Sequence, residues 1–109
     1  MDCIDQIKEI IISRVNPDKI ILFGSHARGD CNANSDVDML VLKKGLTGER
    51  AIAGELYVDF FKQNVLVSVD VIVMDYEKFY KLSDESGYVY KEIKQEGKII
   101  YESFQRMAG

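Results

Sequence analysis

At 109 residues, with 47% hydrophobic residues and a formal net charge of −4, the chain reads as one small globular domain spanning 1–109. It is too short to close a second core and too apolar to be disordered. The acidic balance argues against a direct nucleic-acid binder, which needs a basic face to displace counterions, but not against a nucleotide ligand whose charge a metal and a few cations can meet.

In chain order, Ile4, Ile7, Ile11 and Val15 recur at helical spacing over residues 2–15, with Ile10 widening the stripe, Asp2 as a cap, and Asn16-Pro17 as the stop. This start has neither the basic region nor the apolar run of a signal peptide, and no stretch approaches the ~20 apolar residues of a membrane span. Cys3 and Cys31 make no disulfide framework and no CxxC pair, which fits reduced thiols in a cytoplasmic protein. A domain of this size gains stability from a partner or an oligomer.

Lys19–Phe23 (KIILF) is a β-branched apolar run ending at Gly24 and reads as a buried strand. Gly24-Ser25 turns the chain, with Ser25 capping a short helix that holds His26, Ala27 and Arg28, and 29–35 (GDCNANS) is a loop. Asp36–Leu42 is a second strand. Lys43–Glu49 is a solvated loop, and residues 50–64 form an amphipathic helix with Ile52, Leu56, Phe60 and Phe61 on one side. Val65–Met74 (VLVSVDVIVM) is the most strongly β segment. Residues 75–82 predict a helix capped by Asp75, and 86–96 another that stops with Gly97 at C′. Lys98–Tyr101 predicts a small edge strand. The fold class expected is α/β (α+β), a small mixed or antiparallel sheet of three to four strands flanked by helices.

The carboxylates are unusually placed. Asp36 and Asp38, two apart on one strand, point to the same side, separated by roughly 6–7 Å along the backbone. Asp70 interrupts a run of valines and isoleucine, where an unpaired buried carboxylate is costly and a divalent cation compensates well. Three carboxylates suit Mg²⁺, even a pair of ions about 4 Å apart as in two-metal phosphoryl transfer. Singly, each has a plainer reading: Asp36 capping a turn, Asp38 solvated, Asp70 in a salt bridge. Upstream, a strand, glycine turn and helix start offer close backbone approach, free N–H groups and a serine donor to a phosphate. No Walker A loop or dinucleotide fingerprint is present.

Together, Gly24-Ser25-His26-Ala27-Arg28-Gly29 and Ser35-Asp36-Val37-Asp38-Met39-Leu40 resemble the GSxARG…SDxDL signature of the minimal nucleotidyltransferases, within the DNA polymerase β-like superfamily. Val69-Asp70-Val71 resembles the superfamily's third carboxylate triplet, and Lys91–Glu102 resembles the end of the family's domain. The resemblance implies that Gly24 and Ser25 grip the triphosphate of ATP. It implies that Asp36 and Asp38 bind two Mg²⁺ ions and that Asp70 ligates the catalytic one and helps deprotonate an acceptor hydroxyl. Arg28 either contacts phosphate or pairs with a neighbour such as Asp30. His26 is more simply a helix-start residue than a base, Lys43 and Lys44 solvated, and Tyr57, Tyr88, Tyr90 and Tyr101 core or interface residues.

Larger members of the superfamily add an acceptor-binding domain, for which this chain has no room, so recognition of the acceptor falls to the core, another copy or a separate protein. Similar minimal nucleotidyltransferases, of the MntA type, pair with HEPN-domain ribonuclease toxins, and the resemblance implies an antitoxin that transfers AMP from ATP to a toxin tyrosine. Two alternatives stand beside it: an antitoxin that neutralises by binding alone, and a transferase for a small acceptor such as an aminoglycoside.

Overall fold

The apolar periodicity of the first segment forms helix α1, Cys3–Val15, with Ile7, Ile10, Ile11 and Val15 buried. It ends as Asn16 enters the left-handed region at φ 51°, its N–H donating to the Ile12 carbonyl at 3.0 Å. In the computed structural model, residues 3–24, 36–85 and 88–103 are described. The helix expected to follow Ser25, the loop 29–35, Cys31 and the Asp2 cap lie outside them.

Strand β1, Lys19–Phe23, pairs antiparallel with β2, Val37–Lys43. Helix α2, Glu49–Lys62, carries the chain over to β3, Val69–Asp75, parallel to β2. This is the crossover that a parallel pair requires. Helices α3 (Tyr76–Glu85) and α4 (Tyr88–Glu96) follow. The edge strand β4, Lys98–Glu102, closes antiparallel on β1. The order is β3-β2-β1-β4, a mixed sheet within the expected α/β class.

Strand alternation gives the sheet two apolar faces. Ile20, Leu22, Val37, Met39, Val41, Val71 and Val73 pack with Ile7, Ile11, Leu56 and Phe60 of α1 and α2. Ile21, Leu40, Leu42 and Met74 pack with Phe79 of α3 and Ile93 of α4. Asp75 caps α3 as expected, its carboxylate accepting from Lys78 N–H at 3.0 Å and from Gly45 N–H at 2.7 Å. These N–H donors, Lys78 foremost, hold its carboxyl below the ordinary range. Among the described residues no helix is long and apolar enough to cross a membrane.

Four expectations are corrected. The third strand begins at Val69, not Val65, because β2 begins at Val37 and offers no partner further back. Val65 instead completes the end of α2. Asn64 adopts φ 58°, its N–H donates to the Phe61 carbonyl at 3.2 Å, and Val65 N–H reaches the Phe60 carbonyl at 3.0 Å. This is a Schellman closure, with Val65 packed beside the core. Second, Phe61 does not share the buried side with Leu56 and Phe60: it is 85% exposed, since it lies about 100° around the helix from Phe60. Third, Gly97 directly follows the end of α4 as expected, but without the left-handed φ usual for a C′ glycine. It is required by space, since a Cβ there would run into the Ile93 carbonyl oxygen and Ile21 Cγ2. Fourth, Lys43 is not a solvated loop residue: it ends β2 half-buried, donating to the Val15 carbonyl at 2.8 Å and so capping the C-terminus of α1.

Candidate active site

Antiparallel pairing sets Phe23 opposite Asp38, and parallel pairing sets Asp38 opposite Asp70. Phe23, Asp38 and Asp70 therefore form one row across three adjacent strands. The row lies on the sheet face that carries α3 and α4, because Phe23 packs with that core and Asp38 and Asp70 alternate with residues of the other one. It runs where β1 ends and β2 and β3 begin.

Gly24 follows directly, at φ 76°. A side chain there would overlap the Asp38 carboxylate. Glycine is thus demanded twice, by backbone conformation and by the close approach of a functional group. Asp36 stands just before β2, exposed, whereas Asp38 is half-buried. Asp70 is exposed, because β3 is an edge strand. The expectation that it is a buried charge in need of compensation is corrected accordingly: its position, not its burial, associates it with Asp38.

Among the described residues no group of three or more His, Cys, Asp or Glu is gathered closely enough to hold a metal. The register does bring a pair of hard oxygen donors side by side, and Mg²⁺ usually takes one or two carboxylates and completes its shell with water and substrate phosphates. The donor set fits that ion. Ser25, His26 and Arg28 lie outside the described residues.

The other candidates lie elsewhere. Lys44 is beyond the far end of β2, its ammonium 5.4 Å from the Tyr76 ring centroid. Tyr90 packs edge-on to Phe79 at 6.1 Å, and Tyr101 lines the core under α1 and α2. The Tyr88 side chain is outside the described set. Sequence reasoning missed Lys19, 8% exposed, whose ammonium donates to the Tyr80 hydroxyl at 2.7 Å. Burial would lower its pKa, and the Tyr80 bond with the nearby Tyr80, Tyr76 and Glu102 charges raises it overall. No sequence signal distinguishes this lysine, which begins β1 at the end opposite Gly24. An open groove of about 240 Å³, lined by Ile10, Ser13, Arg14, Asp59 and Gln63, lies between α1 and α2 on the other layer.

The sequence matches the family described as polymerase beta, nucleotidyltransferase, over residues 5–106. The chain belongs to that family. The minimal nucleotidyltransferase reading of its Gly-Ser and Asp-x-Asp motifs stands with it. A Methanocaldococcus jannaschii protein named “Putative protein adenylyltransferase” is 47% identical over 49 residues, covering 40% of this chain and 50% of that protein. The match thus spans about half the length of this curated relative. The fold is similar to a toxin–antitoxin crystal structure with AMP-PNP, at TM-score 0.66 and 21% identity, covering 94% of this chain and 75% of that one. It is also similar to a mutant of the MntA-HpeT toxin–antitoxin pair, at TM-score 0.65 and 18% identity, covering 97% and 77%.

Proposed function

We propose that this domain transfers AMP from ATP to a tyrosine hydroxyl on a HEPN-domain toxin in the cytoplasm, and acts as its antitoxin. The observation that carries the reading is the row of Phe23, Asp38 and Asp70 on adjacent strands, with Gly24 directly after it against the Asp38 carboxylate, in a polymerase beta nucleotidyltransferase domain. The adenylyltransferase relative and the toxin–antitoxin neighbours support the partner class.

Gly24 and Ser25 bind the triphosphate through backbone N–H groups and the serine hydroxyl, and Arg28 contributes a phosphate contact in this reading. Asp36, Asp38 and Asp70 hold Mg²⁺, which neutralises phosphate charge and supplies electrostatic stabilisation when bound. The acceptor oxygen attacks the α-phosphorus, the bond to the β-phosphate oxygen breaks, and pyrophosphate leaves. Asp70, exposed on the edge strand, takes the proton of the acceptor hydroxyl in this reading. Positioning and electrostatics supply the rate in such a site. An AMP group on the toxin adds charge and bulk where RNA would bind.

The test is incubation of the domain with ATP, Mg²⁺ and a HEPN-domain toxin as the candidate partner, followed by intact mass of both chains. One or more AMP increments on the partner are expected, and none with Asp36→Asn/Asp38→Asn, which leaves the fold intact. Tight binding without any increment refutes the transferase reading in favour of a binding-only antitoxin. Full transfer by the double variant refutes the metal-site assignment.

A further inference from the structure

Gly54, Tyr57, Val58 and Phe61 occur at i, i+3, i+4 and i+7 of α2 and so share one helix face. The face turns outward: Tyr57 is 42% exposed, Val58 50% and Phe61 85%, and Leu66, just past the helix, is 93% exposed. Glycine in a helix interior is destabilising, yet a Cβ at Gly54 would meet nothing within 4 Å among the described residues. A bare backbone at the N-terminal end of an exposed apolar face suits a second helix crossing closely there.

Charge selects the occupant. Glu55 and Asp59 are turned toward Arg14 of α1, at 3.5 and 2.7 Å. No carboxylate lies on the face itself, which Arg50 and Lys62 bracket, both exposed. Were a second copy to pack antiparallel on it by two-fold symmetry, Arg50 would meet Lys62 of that copy, like charge against like. A partner helix that sets acidic residues against Arg50 and Lys62 meets those two cations with opposite charge.

The face also borders the active site. The Tyr57 hydroxyl accepts from Val71 N–H at 3.0 Å, and this N–H belongs to the peptide that joins Asp70 to Val71. The ring is therefore pre-positioned, and a protein held on α2 lies along the strand that carries Asp70.

We propose that the outer face of α2 is the docking surface for an amphipathic, acid-flanked helix of a different protein, the acceptor protein of the proposed function, on which this inference rests. The probe is the purified HEPN-domain toxin of the proposed function, titrated calorimetrically into the domain. Val58→Glu/Phe61→Glu, at exposed positions, is expected to weaken binding by about a hundredfold or more, as loss of a central anchor does. Gly54→Gln is expected to raise the melting temperature of the free domain while weakening binding, two opposite signs that a structural role for Gly54 does not produce. Asp36→Asn/Asp38→Asn is expected to bind like the parent, so that docking and chemistry are read separately. Undiminished binding by the α2 variants overturns this inference and leaves the proposed function standing. A parent domain that is dimeric in solution, and monomeric with Val58→Glu/Phe61→Glu, also overturns it, because a second copy is then the occupant. No binding by the parent overturns both.

Discussion

Gly24→Ala separates the role of this glycine in folding from its role in the site. Two costs arise. A left-handed residue with a Cβ costs roughly 1–2 kcal/mol, and Gly24 sits at φ 76°. At about 4–8 °C per kcal/mol for a small domain, the melting temperature falls noticeably, but a domain with an ordinary 5–15 kcal/mol of stability stays folded at assay temperature. The second cost falls on the chemistry. The methyl group overlaps the Asp38 carboxylate, a movable side-chain end that yields more cheaply than the β-strand backbone. A displacement of about 1 Å at a positioned catalytic group costs on the order of 100-fold in rate. The assay pairs a thermal melt with the initial rate of AMP transfer to saturating partner. The expected result is a modest loss of stability with a rate loss near two orders of magnitude. A variant that melts lower but transfers within about threefold of the parent refutes the reasoning, because Asp38 then does not need the position that Gly24 leaves open.

Three further outcomes follow from the fold. Leu56, fully buried on the inner side of α2, should cost about 2–5 kcal/mol as Leu56→Ala in urea unfolding; a smaller loss means that α2 packs loosely. Gly97→Ala should destabilise the domain, since the Ile93 carbonyl and Ile21 cannot both withdraw, and an unchanged melting temperature contradicts the close approach of α4 to β1. For pH, Asp75 is held below its ordinary 3.8 by backbone donors, Lys78 first, and Asp59 by its hydrogen bonds from Arg14. A depressed carboxylate stabilises the fold above its ordinary pKa, and that contribution disappears as pH falls through the depressed value. Asp75→Asn, which can still cap α3, should flatten part of the stability loss seen by denaturation on going from neutral pH to about pH 3; an unchanged acid limb refutes the assignment.

Much of this protein was legible from residue order because the signals are local. The period of α1, the five apolar residues of β1, the Asp75 cap and the paired Asp36 and Asp38 each depend on neighbours a few residues apart. The motif runs around Gly24 and Asp36 carried the family, and the match over residues 5–106 bears it out. Long-range pairing decided the rest. Where β3 begins depends on where β2 begins, so of the β-rich run from Val65 only the residues from Val69 onward pair with β2. Asp70 is exposed because β3 lies at the edge, a fact of strand order that its apolar flanks do not reveal. Phe60 and Phe61 are equally hydrophobic, and only the rotation of α2 against the sheet buries one and leaves the other outside. Gly24 was readable as a turn glycine, but that its missing side chain makes room for Asp38 required β1 and β2 in register. Sequence determines what each segment can become; which side chains then meet is settled by packing, because contacts across a sheet join residues that the chain itself holds far apart.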